Sequence, residues 1–228
     1  MKTLLKWLES TFHYHPQDLS LFEAAVTHRS AGNPHNERLE YLGDAVLNCV
    51  TATLLYNTFR SAAEGELSRY RATLVSGESL AAIAANLGVG DYLRLRQGEL
   101  KSGGFRRKSI LADALEAILG AIYLDGGFTA VSGVIERLFA ELLPQLPQAA
   151  LLKDPKSKLQ EALQSRGVAL PDYVVESIMG EAHAQHFKVR CAVPSLNLSA
   201  PGEGGSRRAA EQTAAQNVLE QLIDLWRK

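Results

Sequence analysis

Three carboxylates, Glu37, Glu40 and Asp44, fall in the stretch NERLEYLGDAVL. At about 100° per residue on a helix they lie within roughly 60° of one another, with Leu39, Leu42 and Val46 opposite. Tyr41 and Leu47 flank the acids closely, which predicts a mostly buried helix rather than a washed outer face. A second stretch, ILADALEAILGAIYL at 110–124, is apolar all round except for Asp113 and Glu116, three apart on one face. Acids in such a helix need partners. At about 5.5 Å and an effective dielectric near 20, each like-charged pair repels by roughly 3 kcal/mol. Pairing with Arg38, Arg69 or Arg71 would make the acids structural. A divalent cation resolves the conflict for all of them at once, and oxygen-only donors suit Mg²⁺, with Mn²⁺ able to substitute. No His or Cys has the spacing to join them.

Other residues carry weaker signals. Glu64, in SAAEGELSRYRATL, reads as part of a polar loop or a helix start. Arg207 and Arg208 follow Ser206 at the start of a long helical stretch, where the macrodipole disfavours cations and favours an external anion. That pattern suits a phosphate site. Gln160, Glu161 and Gln164 give another helix a polar edge able to reach hydroxyls. His183 and His186 lie in GEAHAQHF, a loop between strand candidates. The Gly-punctuated basic loop LRLRQGELKSGGFRRKS at 93–109 runs into the second acidic helix, an arrangement that suits a polyanion beside a metal.

The elements that must position these residues follow from periodicity. Apolar residues recur at helical spacing in 4–8, 21–26, 39–55, 67–87, 110–124 and 131–143. Glycine and proline clusters at 32–34, 88–90, 98–104 and 126–127 separate them. Gly43, in mid-helix, predicts close packing against a neighbour, and Gly120 continues the line of acids and leaves room above it. PQLPQAALLKDPK, at 144–156, has three prolines and no periodicity. The period then changes: a helix over 156–166, strands at 173–179, 187–193 and, more weakly, 196–200, and a helix over 206–226. The expected organisation is a helical domain at 1–146, a linker at 147–153 and a small α-β-β-β-α domain at 154–226.

A chain of 228 residues with 46% apolar content can bury a core in each of two domains. No apolar run approaches the roughly 20 residues of a membrane span. Glu9 interrupts the apolar start MKTLLKWLES, so no leader is expected. Cys49 and Cys191 are isolated, each in an apolar pattern. Both are expected to be core thiols, as in a protein of the reducing cytoplasm. The net charge of −1 does not mark a nucleic-acid binder. Residues 1–146 carry 14 basic and 16 acidic side chains, and 147–228 carry 10 and 9, so polyanion binding would rest on local patches.

HNERLEYLGDAVL resembles the signature of the ribonuclease III family, with Tyr41 and Ala45 where that signature has Phe and Ser. AVTHRS, EGELSRYRATLV and ELKSGGFRRKSILADALEAILGAIYLDGG resemble the same family, in order. GEAHAQHF and GSRRAAEQTAAQNVL resemble a double-stranded-RNA-binding domain. The resemblance covers essentially the whole chain. It implies an all-α endonuclease domain followed by a small α+β RNA-binding domain. Glu40, Asp113 and Glu116 match metal-ligand positions, Asp44 matches the essential acid beside them, and Glu37 and Glu64 match accessory acids. Gln160, Glu161, Gln164, His183, Arg207 and Arg208 match the RNA-binding surface. Where such domains often carry a further basic residue, this chain has Glu211. The family implies a cytoplasmic, Mg²⁺-dependent homodimer without a small-molecule cofactor or a membrane. It cuts double-stranded RNA to 5′-phosphate and 3′-hydroxyl ends with short 3′ overhangs. Its substrates include rRNA precursors, mRNAs and tRNAs. The alternative is a non-catalytic double-stranded-RNA-binding regulator, which would be expected to lack one of the acids.

Overall fold

The computed structural model describes residues 3–146, 153–181 and 185–227. The chain divides into two compact units, Met1–Ala149 and Ala150–Lys228. The expected linker at 147–153 falls, except for Lys153, outside the described residues.

The first unit is helical: α1 (Leu4–Phe12), α2 (Leu19–Ala25), α3 (Glu37–Thr58), α4 (Glu64–Leu74), α5 (Gly77–Asn86), α6 (Gln97–Lys101) and α7 (Lys108–Phe139). The stretch 67–87, continuous in its apolar spacing, is two helices. Ser76 separates them and accepts the Ser79 N–H as the cap of α5. α3 and α7 form the central pair, burying Leu47, Leu55, Leu115, Ile118 and Leu119 almost completely. By length and composition α7 could cross a membrane. Here it is the core helix, with Ile110, Leu115, Ile118 and Ile122 packed inside the unit. It breaks at Gly127, whose φ of 77° requires glycine's freedom. Beside the break, Asp125 accepts hydrogen bonds from the Tyr14 hydroxyl at 2.7 Å and from the Gln17 and Asp18 N–H groups at 2.8 Å. Arg137 donates to the Phe12 carbonyl at 2.9 Å.

The second unit runs α8 (Pro155–Gln164), β1 (Asp172–Met179), β2 (His186–Val193), β3 (Leu198–Gly204) and α9 (Arg207–Arg227). The strands form an antiparallel sheet in the order β1-β2-β3, with a register shift between Val175 and Ser177. Leu159, Leu163, Cys191, Val193, Ala214 and Val218 form its core. The third strand lies further along than the expected 196–200. Residues Pro194–Leu196 form a 3₁₀ turn, and the strand continues through Pro201 and Gly202. An edge strand tolerates proline. At Gly202 a Cβ would lie 2.1 Å from the Ala214 nitrogen, so the residue that reads as a breaker is what lets α9 approach. Cys191 is the expected core thiol. Cys49 is exposed, because it lies on the outward side of α3.

Candidate metal centre and nucleic-acid interface

Two glycines set the crossing of α3 and α7. A Cβ on Gly43 would stand 1.8 Å from the Glu116 carbonyl oxygen, and one on Gly120 would stand 2.3 Å from that of Leu39. Gly120 therefore does not leave room above the acids. It takes the backbone of the other helix directly against it. This contact places Glu40 and Asp44, one turn apart on α3, opposite Asp113 and Glu116 on α7.

The four carboxylates feel one another. Burial, then Asp44, Glu40 and Asp113, push the Glu116 carboxyl up to about 8. Glu40 is raised by burial and by Asp113, Glu37 and Asp44, and is partly relieved by Arg29. Asp113 is raised by burial, against the pull of His28 and Arg29. Asp44 is exposed and accepts a hydrogen bond from the Asn48 amide at 2.9 Å. Among the described residues, no three Asp, Glu, His or Cys side chains already stand as a closed ligand cage. The acids share a field rather than a bonding centre. The donor set is nonetheless all carboxylate, on two packed helices, and it lacks the cations needed for neutrality. That chemistry fits a hard divalent metal.

A cleft of about 400 Å³ opens beside Glu40 and Asp113. His28, Arg29, Asn36, Glu37, Glu99, Arg107 and Ser109 also line it. Glu37 bonds Arg29 at 3.0 Å, so its partner comes from the short turn before α3 rather than from Arg38, Arg69 or Arg71. Arg107 lies 3.2 Å from Glu99. His28 and Arg29 have no spacing in the sequence that ties them to the acids. Their one signal was AVTHRS, and they reach the acids only through the fold. Glu64 is the first residue of α4, not part of a loop, and its carboxylate accepts from the Ser68 hydroxyl at 2.7 Å. It lines a different cavity, with Tyr56, Leu67 and Arg71, and within one chain does not join the four acids. Tyr41, expected to flank a buried helix, is 82% exposed, and Tyr56 on the same helix is 71% exposed.

In the second unit, Gln160, Glu161 and Gln164 form an exposed edge of α8, and Glu161 pairs with Lys153. Arg207 and Arg208 are exposed in the first turn of α9, where the Ser206 hydroxyl accepts the Ala209 N–H at 3.2 Å. His183 lies outside the described residues. Lys156, which the sequence did not mark, joins the two helix starts. Its ammonium lies 2.7 Å from Glu211, and its N–H donates to Gln212.

Comparison with known proteins bears on both units. Residues 18–142 match the model of the Ribonuclease-III-like family, and residues 155–222 match that of the double-stranded RNA binding motif. The chain is 54% identical over 203 residues to Ribonuclease 3 of Aromatoleum aromaticum, covering 89% of this chain and 90% of that one. It is 50% identical over 224 residues to Ribonuclease 3 of Vibrio vulnificus, covering 98% of this chain and all of the other. The nuclease domain of ribonuclease III from Campylobacter jejuni superposes with a TM-score of 0.60 at 42% identity. That match covers 64% of this chain and the whole of that domain.

Proposed function

From the premise that this chain belongs to the ribonuclease III family and is an endoribonuclease of double-stranded RNA, we propose that Glu40, Asp44, Asp113 and Glu116 form its catalytic centre. The observation that carries the proposal is the glycine-to-backbone crossing of α3 and α7, which brings these four carboxylates into one electrostatic cluster. Glu40, Asp113 and Glu116 would supply oxygen ligands to Mg²⁺ or Mn²⁺. When bound, the metal supplies Lewis acidity: it acidifies water and neutralises charge on the phosphodiester. Asp44, exposed and oriented by Asn48, would hold the attacking water and take its proton. Attack at phosphorus breaks the bond to the 3′ oxygen, which leaves with a proton, so the ends are 5′-phosphate and 3′-hydroxyl. His28 and Arg29 already temper the charge of Asp113 and would face the substrate phosphate. Glu37 and Glu64 act as accessory acids beside the RNA.

The RNA surface of the second unit would read A-form shape. Gln160, Glu161, Gln164 and His183 would contact minor grooves, and Arg207 and Arg208 would contact phosphates. A homodimer would supply two centres, one per strand, and their offset would give the short 3′ overhang. The exposed Tyr41 and Tyr56 on α3 support a pairing face there. The Campylobacter nuclease domain is itself described as having a region involved in dimer formation. In the cell the enzyme would act in the cytoplasm on rRNA precursors and on some mRNAs and tRNAs.

The test is a long perfect RNA duplex incubated with the protein in Mg²⁺, Ca²⁺ or EDTA, beside Glu116→Ala. Short 5′-phosphorylated duplexes from the wild type in Mg²⁺ alone, with the variant still binding RNA, support the centre. Binding without cutting in Mg²⁺ or Mn²⁺ would make the protein a regulator and the acids structural.

A further inference from the structure

The first turn of α9 carries Arg207 and Arg208, and Glu211 follows one turn after Arg207. Glu211 is largely buried, and its two oxygens serve different cations. Oε1 accepts from Arg207 Nε at 2.9 Å, and Oε2 from the Lys156 ammonium at 2.7 Å. Lys156 also sits over the Tyr173 ring, 4.2 Å from its centroid. Gln212 accepts the Lys156 N–H and donates to Asp154 at 2.9 Å, closing a polar network between the starts of α8 and α9. The Lys156 hydrogen bond, and then that of Arg207, hold the Glu211 carboxyl below its usual range against burial. It is therefore charged under any condition in which RNA would bind. Arg208, exposed beside it, makes no ion pair with a described residue.

We propose that Glu211 sets the affinity of the second unit for duplex RNA by holding Arg207 and Lys156 in ion pairs that an RNA phosphate has to share or displace. The inference rests on the reading of the α9 start as a phosphate site. A phosphate arriving there meets the unpaired guanidinium of Arg208 and two cations that share the one negative charge of Glu211, so the net charge it meets is one less than three cations would give. Fewer counterions are then released on binding than three cations would suggest, and the salt dependence is correspondingly shallow. Glu211 also adds direct repulsion at the point where the backbone comes closest. The consequence for catalysis is a grip weak enough to release cut ends between turnovers.

The full-length protein is titrated in EDTA against a perfect RNA duplex of about 32 base pairs, twice the roughly 16 that one such domain spans. Salt is varied between about 50 and 200 mM. Glu211→Gln is expected to bind about three- to tenfold tighter near 100 mM salt and to steepen the log–log salt slope by about one. Because Glu211→Gln leaves Lys156 without its partner, the comparison is repeated between Lys156→Gln and Lys156→Gln/Glu211→Gln, where the same tightening is expected. Unchanged or weaker binding in both comparisons overturns the proposal and makes Glu211 a brace that positions Arg207. Arg208→Ala tests the underlying reading separately. If its affinity and salt slope match the wild type, the α9 start is not a phosphate site, whatever Glu211→Gln does.

Discussion

Glu116 is the residue at which stability and function pull apart. Burial and three neighbouring acids push its carboxyl up to about 8, so near neutral pH folding has to protonate it or hold its charge, a cost that a bound cation would offset. Glu116→Gln is therefore expected to stabilise the metal-free protein by about 1 kcal/mol, a rise in Tm of roughly 2–4 °C for a domain this size. Cleavage of duplex RNA should fall by at least about a thousandfold, the scale of losing a metal ligand. Differential scanning fluorimetry in EDTA and a gel-based cleavage assay read the two effects, and a fall in Tm would place Glu116 in the structural class instead. At this scale much of the candidate site was legible, in the sense that the fold brings the four acids singled out in the sequence onto one helix crossing. Acids at helical spacing among leucines and alanines stand out, because such a pattern has few stable explanations. The surrounding cations were not legible, since His28 and Arg29 come from a turn that only the packing brings to Asp113. Cys49 was misread because one face of α3 is apolar yet left open, and periodicity reports a face without saying what covers it.

The elements are positioned by contacts that leave no space for a side chain. Gly43→Ala would drive a methyl group into the backbone of Glu116, which cannot rotate away. The expected loss is about 3 kcal/mol, at the upper end of overpacking costs, with catalysis lost as α3 and α7 separate. Gly77→Ala, in the first turn of α5 with nothing within 4 Å, should instead gain about 0.5 kcal/mol. Urea unfolding of the two variants separates helix propensity from the crossing. In the second unit, Asp154 caps α8. Burial would raise its carboxyl, but hydrogen bonds from Gln212 and from the Ser157 N–H and hydroxyl hold it below its ordinary value of 3.8. A lowered folded-state value means that this contribution is fully present above the ordinary value and is lost as pH falls through the lowered one. Asp154→Ala should cost about 1 kcal/mol near pH 7 and progressively less in the acid range. Denaturant titrations of wild type and variant that stayed equally far apart at low pH would remove Asp154's charge from the account. The longer helices of both units followed from their spacing, whereas the break at Ser76 and the short α6 inside the basic loop did not. The end of β3 did not, because Pro201 and Gly202 look like breakers until an edge strand and a close helix give each a place.

For the whole molecule, a net charge of −1 and an RNA substrate are reconciled by local pairing. Arg29, Arg107, Lys108, Lys156 and Arg207 each hold an acid of the same chain, so cationic surface is available but largely balanced. The catalytic proposal also predicts a stability effect that needs no RNA. Mg²⁺ should raise the Tm of the wild type in proportion to the logarithm of its concentration above Kd, and should do so little for Glu40→Gln. Equal shifts in both would place the cation elsewhere. The two units also differ in how far apart in sequence their contacts lie. Asp125 receives its hydrogen bonds from Tyr14, Gln17 and Asp18, Arg137 reaches back to Phe12, and the Trp7 indole donates to the Leu87 carbonyl at 3.0 Å. A chain made from its N-terminus exposes α1 and α2 long before the helix that anchors them has left the ribosome. The first unit therefore completes its fold only when α7 has been synthesised through Arg137, whereas the second closes on contacts made within its own short length. During synthesis the acids of α3 emerge without their counterparts on α7, so no nascent fragment ending before residue 113 has the cluster proposed as the catalytic centre.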